Sequence, residues 1–231
     1  MDTITNKEGM FKMTETYVVR HCEAKGNEKR LFQGAINCNI TELGEKQLEF
    51  LTERFKNIKL DKIYTSPLYR AQKTAFAVMG ERNMDIKIEN DLREVCGGIL
   101  EGKPFMDMYK VDPALADAWD NHPQDFYPEQ GEHMRDAYER IFNIVLKLAK
   151  ENDGKTIALA CHGGVIRCLM ARLIFGTIER LKDVPWAENT SVALLTFDNG
   201  EFTLHYKNDH SHLPEEFLPV RHRLVSYMKR D

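Results

Sequence analysis

The sequence predicts an α/β fold: a three-layer α/β/α sandwich on a mostly parallel sheet, with an irregular cap over the carboxyl ends of the strands. Two observations carry this reading. Short β-type apolar runs alternate with amphipathic helical stretches, and that alternation lays strands parallel with helices on both faces. Residues 101–131 break the rhythm with prolines and the scattered aromatics Phe105, Tyr109, Trp119, Phe126 and Tyr127. A chain of 231 residues suffices for one core plus such a cap. Residues 1–231 therefore read as one domain, with a cap insertion at about 101–131 and a carboxyl-terminal tail from about 214.

The elements follow in order. Tyr17, Val18 and Val19 form a compact apolar run, readable as a buried strand. A polar loop with Gly and Asn follows. Thr41 then offers an N-cap for a helix carrying Leu43, Leu48, Leu51 and Phe55 on one side. A short strand at 62–65 leads into Ser66-Pro67, and Ser as N-cap before Pro is a helix start. That helix presents Leu68, Ala71, Ala75, Phe76 and Met79 at helical spacing. Residues 86–88 give a third strand. Beyond the cap, Met134, Tyr138, Ile141, Val145 and Leu148 mark the inner face of a long helix. Residues 156–160 read as another buried strand, and Gly163-Gly164 opens a helix running to about 175. Residues 191–197 and 202–206 form a hairpin through Asp198-Asn199-Gly200.

Composition excludes several classes of function. Charged residues make 29% of the chain and hydrophobic ones 42%, ordinary for a globular protein. The net charge is −4, with no basic block, so the clustered cations that nucleic acid requires are missing. No apolar run approaches the roughly 20 residues of a spanning helix. The first fifteen residues lack an apolar signal-peptide centre. The expected setting is cytoplasmic, with no membrane and no nucleic-acid partner. The five cysteines, Cys22, Cys38, Cys96, Cys161 and Cys168, include no CxxC pair, so neither a disulfide framework nor a zinc knuckle is indicated. His210 and His212 lack helix-borne ligand spacing such as HExxH, and a structural role is expected of them. Neither a metal nor a cofactor is indicated, and nothing in the sequence fixes the oligomeric state.

A ligand site in such a sheet lies beyond the carboxyl ends of the strands. Three marked segments fall there: Arg20-His21, Ser66-Pro67 with Arg70, and His162-Gly163-Gly164. Arg20 and Arg70 are permanent cations whose forked donors match phosphate oxygens. The turn at Gly163 offers free amides and a helix dipole to an anion. The pocket should therefore be electropositive and the size of a phosphate. Nearby cations disfavour protonation of His21, and a neutral imidazole is what a nucleophile must be.

The segment Val18-Val19-Arg20-His21-Cys22-Glu23-Ala24, with Asn27 after it, resembles the histidine phosphatase superfamily, also called phosphoglycerate-mutase-like, in its phosphatase branch. Four further blocks fall in the family's order. They are Thr41-Glu42-Leu43-Gly44, the stretch from Ser66 through Arg70-Ala71 to Thr74-Ala75, Leu92-Arg93-Glu94 with Leu100-Glu101-Gly102, and Cys161-His162-Gly163-Gly164. Asn208-Asp209 and His212-Leu213 resemble the family's tail, so the likeness spans about 16–213. The resemblance implies a metal-independent phosphatase acting on a small organic phosphomonoester. His21 would carry the phosphohistidine. Arg20, Arg70, His162 and Gly163 would bind the phosphoryl group, with Asn27 lining the pocket. Glu94 would protonate the leaving alcohol and then take a proton from water. Glycine usually follows the Arg-His pair in the family, and Cys22 stands there in this chain.

The cap sets the substrate expectation. It carries only Lys103 and Lys110 as basic residues, against Glu101, Asp107, Asp112, Asp117, Asp120, Asp125, Glu129 and Glu132. That balance repels a polyanion and favours a singly phosphorylated substrate with a neutral or cationic body. The alternatives are a cofactor-dependent phosphoglycerate-type mutase and a catalytically inactive phospho-ligand-binding module. Two further readings stay open. The cap aromatics either line the substrate pocket or pack the cap down. Cys22, Cys96 and Cys161 are either small core residues, the commoner use, or oxidisable thiols made acidic by nearby arginines.

Overall fold

Successive side chains of a strand point to opposite faces of a sheet, and the first strand shows that both faces are covered. Val18 is buried in one hydrophobic core and its neighbour Val19 in the other. The computed structural model describes residues 12–218. In chain order it contains β1 (Thr14–Arg20), α1 (Lys25–Glu28), α2 (Glu42–Phe55), β2 (Lys62–Thr65), α3 (Tyr69–Met79), β3 (Ile86–Ile88), α4 (Met108–Val111) and α5 (Pro113–Asn121). Then come α6 (Met134–Glu151), β4 (Thr156–Cys161), α7 (Gly163–Phe175), β5 (Val192–Asp198) and β6 (Glu201–Asp209).

The six strands lie in the order β3-β2-β4-β1-β5-β6. The first four are mutually parallel, whereas β5 runs antiparallel to β1 and β6 antiparallel to β5. Leu51 and Phe55 of α2 and Ala75 and Val78 of α3 cover one face. Helices α6 and α7 cover the other, through Ile141, Val145, Leu148, Val165 and Leu169. The mostly parallel α/β architecture with helices on both faces is thus as the sequence predicts. At the β5–β6 turn, Asn199 and Gly200 take φ values of 49° and 90°, the left-handed pair that a tight two-residue hairpin demands.

Three local expectations need correction. Helix α3 begins at Tyr69, not directly after Ser66, and Leu68 still has extended backbone at φ −79°, ψ 135°. Pro67 restrains Ser66 to extended backbone, and the Ser66 hydroxyl has another partner, described below. Phe76 is 55% exposed. The buried stripe of α3 runs through Ala71, Thr74, Ala75 and Val78, and Phe76 lies one step further round the helix. Finally, the cap is not wholly irregular. Asp112 caps α5 by accepting the Leu115 N–H at 2.9 Å, with Pro113 at the first helical position.

The cap is held down by its rings. Phe105, Trp119 and Phe126 gather around Phe32, with centroids 5.5, 5.3 and 6.2 Å from it. Tyr127 points outward. Packing is therefore the main use of these aromatics. The start of the expected tail docks on α2, where Phe217 offers its carbonyl to Gln47 at 3.0 Å and its ring to Phe50. The rest of that tail and most of the polar amino-terminal stretch lie outside the described residues. Among the described residues, no helix is long and apolar enough to cross a membrane.

Candidate active site

His21 sits one residue past β1. Its N–H donates to the Cys161 carbonyl at 2.9 Å, extending the β1–β4 pairing, and its carbonyl accepts from Asn189 Nδ2 at 2.9 Å. The ring is equally constrained. Nδ1 lies 2.6 Å from the Cys22 carbonyl. A carbonyl can only accept, so Nδ1 carries the hydrogen and Nε2 keeps its lone pair. Burial, then Arg70, then Arg20 push the pKa well below the ordinary histidine value, against the opposing pull of the Cys22 hydrogen bond. The imidazole is neutral with a defined tautomer.

Its neighbours converge from three other strand ends. His162 follows β4 and is the N-cap residue of α7, with its ring centroid 5.1 Å from that of His21. His162 Nε2 lies 2.7 Å from Ser66 Oγ, which also accepts the Leu68 N–H at 3.2 Å. The serine hydroxyl can donate its proton to Nε2 while it accepts from Leu68. The ring hydrogen then resides on Nδ1, a buried atom with no partner among the described residues. Burial, Arg70, His21 and Arg20 hold this second imidazole neutral as well.

Arg70, in the first turn of α3, is 1% exposed. Its Nη1 and Nη2 donate to the carbonyls of Ile36 and Gly34, each at 2.8 Å, while its buried Nε has no partner among the described residues. Glu101 fixes the loop bearing those carbonyls, since its Oε1 accepts from Ala35 N at 2.7 Å and Gly97 N at 2.9 Å. Arg20 donates to the Ala187 carbonyl. A Cβ placed on Gly163 would stand 3.0 Å from the Trp186 ring and 3.4 Å from Arg20 Nε, so a larger residue would require Trp186 to give by a few tenths of an ångström. Glu94 completes the ring of charges. Its Oε2 accepts the Gly164 N–H at the start of α7 at 3.0 Å, and its Oε1 the Val95 N–H at 2.9 Å. A Cβ on Gly164 would meet Oε1 at 2.4 Å.

The structure therefore brings together Arg20, His21, Arg70, Glu94, His162 and Gly163. The Asn27 side-chain oxygen accepts the Ala24 N–H at 3.0 Å and closes the first turn of α1, in the segment that follows His21 and Cys22. Ser66, Gly164 and Asn189 join the cluster without having been singled out from sequence as site residues. Ser66 had a visible signal, the Ser-Pro pair, but that pair also reads as a cap. Asn189 had none, because its role arises from β5 returning beside β1.

The cysteines, the cap acids and His212 each have a definite place. The Cys22 N–H donates to Thr74 Oγ1 at 3.1 Å and the residue needs no positive φ, so cysteine fits where glycine is usual. Burial pushes the Cys22 thiol up to about 12 and raises that of Cys161 as well, outweighing the arginines. Both are buried residues, in keeping with the commoner use as small core side chains. In the cap, Glu101 and Asp112 serve backbone amides and Glu132 pairs with Arg140. Of these three, only Glu132 has its charge offset by an ion-paired cation among the described residues. His212 has a structural place, with Nδ1 3.2 Å from Arg54 Nη1 and Nε2 3.3 Å from Thr190 Oγ1.

An array of two arginines, two neutral imidazoles and a helix start can bind a phosphoryl group, and comparison with known proteins points the same way. The chain is 30% identical over 205 residues to phosphoglycerate mutase-like protein 4 of Arabidopsis thaliana, covering 87% of each. It is 28% identical over 158 residues to the adenosylcobalamin/alpha-ribazole phosphatase of Escherichia coli (strain K12), covering 68% of this chain and 78% of that one. The structure is similar to that of Bacillus stearothermophilus YhfR, with a TM-score of 0.82 and 32% identity, covering 86% of this chain and 98% of that one. The profile of the histidine phosphatase superfamily (branch 1) matches residues 16–210. That match runs from β1 through β6 and takes in every strand of the sheet, so the chain belongs to the histidine phosphatase superfamily.

Proposed function

We propose that this protein hydrolyses a small organic phosphomonoester, without a metal ion, through a phosphohistidine on Nε2 of His21. The observation that carries the reading is the tautomer of His21: Nδ1–H bound to the Cys22 carbonyl leaves Nε2 as a neutral nucleophile among fixed cations. Nε2 attacks phosphorus as the bond to the leaving oxygen breaks, and Glu94 gives its proton to that oxygen. Glu94, now a carboxylate, takes a proton from water, whose oxygen attacks phosphorus as the P–N bond breaks. Inorganic phosphate leaves, and His21 and Glu94 return to their starting states. Phosphoryl transfer depends on placing donors at the equatorial oxygens. Arg70 Nε–H and His162 Nδ1–H, both buried and unpartnered among the described residues, suit that task, as does the guanidinium of Arg20.

Hydrolysis is favoured over mutase chemistry because a bisphosphate needs a second set of cations. Lys103 and Lys110 in the cap are exposed, and Lys110 lies 3.6 Å from Asp107. A singly phosphorylated substrate fits better. The five free thiols support a reducing, cytoplasmic setting. Turnover of p-nitrophenyl phosphate tests the scheme. It should persist in EDTA and fall by at least about 10³-fold in His21→Ala, and quenched wild-type enzyme should hold an acid-labile, alkali-stable phosphoryl group. Survival of turnover in His21→Ala would refute it.

A further inference from the structure

A general acid must stand within hydrogen-bond reach of the leaving oxygen, yet Glu94 is carried on a loop, the kind of segment most prone to move. That loop starts at the short 3₁₀ turn Asn90–Leu92 and lies against α6. There Arg140 and Glu132 form a two-armed ion pair, Nε to Oε1 at 2.7 Å and Nη2 to Oε2 at 2.8 Å. The side chains are only 10% and 12% exposed. Both reach beyond the pair to the backbone on either side of Glu94. Arg140 Nη1 donates to the carbonyls of Asp91 at 2.6 Å and Arg93 at 3.1 Å. Glu132 Oε2 accepts the Cys96 N–H at 3.4 Å, and the Glu132 N–H returns to the Cys96 carbonyl at 2.9 Å. Arg93 adds a second cation to Glu132 at 3.4 Å. The loop is pinned at 91 and 93 before Glu94 and at 96 after it.

We propose that Arg140 and Glu132 are positioning residues that set the reach of the Glu94 carboxyl toward the leaving oxygen. The inference rests on the reading of Glu94 as general acid. A buried ion pair contributes little net stability, but a planar guanidinium fork fixes direction as well as distance. Arg140 grips a carboxylate with one edge and two carbonyls with its remaining donors. A lysine, a single point charge on a flexible stem, cannot reproduce that geometry.

Leaving-group dependence separates positioning from mere stapling of the fold. The probes are p-nitrophenyl phosphate, whose phenolate departs with little help from an acid, and glycerol 2-phosphate, whose alkoxide needs the proton. The measured quantity is kcat/KM, which reports the first transfer. In Arg140→Lys and in Glu132→Gln, kcat/KM for glycerol 2-phosphate should fall by about tenfold or more, and several-fold further than for p-nitrophenyl phosphate. Glu94→Gln should show the same selectivity with a larger loss. On the Glu94→Gln background, Arg140→Lys should add little, because both act through one carboxyl. Equal losses on both substrates in a folded variant, or additive losses on the Glu94→Gln background, would overturn the inference and leave the acid assignment standing. A Glu94→Gln enzyme that loses both substrates alike removes the acid assignment and the inference with it. Should Arg140→Lys fail to fold, the isosteric Glu132→Gln carries the comparison.

Discussion

At the scale of single residues, the site depends on which nitrogen of each imidazole holds its hydrogen. On the proposed reading His21 is set by the Cys22 carbonyl and His162 by the Ser66 hydroxyl, so that the two rings offer opposite kinds of nitrogen, a lone pair from one and a hydrogen from the other. In Ser66→Ala the second imidazole loses the group that fixes its tautomer. The expected result is a fall in kcat/KM of about tenfold, and ¹⁵N spectra of His162 showing a tautomer mixture in place of one form. A single Nδ1–H form persisting in Ser66→Ala would refute this role for the serine. His21, Arg70 and Glu94 were legible in the sequence because their blocks occur in a fixed order. Ser66 was legible only as a helix cap, since a hydroxyl before proline looks the same whether it serves an amide or an imidazole across the sheet.

Whole elements hold those residues at the strand ends, and α2 illustrates how. Thr41 Oγ1 accepts the Gly44 N–H at 3.0 Å and caps the helix. Gly44 in turn lies so close to the segment after His21 that an added Cβ would stand 2.2 Å from the Glu23 carbonyl oxygen. Thr41→Ala should cost about 1 kcal/mol, a fall in melting temperature of about 2–4 °C for a chain of this size, with kcat/KM for p-nitrophenyl phosphate changed less than by any site substitution. No shift in the melting curve would mean the cap is replaced by water. This cap was readable because a threonine precedes a strongly amphipathic run, and the β5–β6 hairpin was readable because Asn-Gly admits few other conformations. Helix α5 was not. Its Asp112-Pro113 start is equally explicit, but α5 packs its aromatic face on the cap's own cluster, so no long periodic stripe announces it. Clusters built from distant segments, such as Phe32 with Trp119, leave no local pattern.

Over the whole molecule, the neutral histidines link the site to acid stability. His21 and His162 sit well below the ordinary value, chiefly through burial, and burial with Arg54 lowers His212 to about 4. On unfolding, each returns to about 6.5. Between the two values the unfolded chain binds more protons than the folded one, so stability rises with pH there. The contribution of these residues is complete above about pH 6.5 and erodes as pH falls, by up to about 1.4 kcal/mol per pH unit for each histidine. For His212 the erosion ends near its folded value of about 4, and for the two buried site histidines it continues further. Urea unfolding followed by circular dichroism should therefore show a midpoint that drops between pH 7.5 and 5. A midpoint independent of pH would mean the imidazoles ionise freely in the folded state. Inorganic phosphate sharpens the test. Its charge offsets Arg20 and Arg70, the partners that disfavour an imidazolium here, so a filled site raises both site pKa values. At equal concentrations of the dianion, phosphate should then protect the fold more at pH 5.5 than at pH 7.5, relative to chloride at matched ionic strength. A His212→Gln variant should retain that phosphate effect in full, because its ring faces Arg54 and Thr190 and not the pocket.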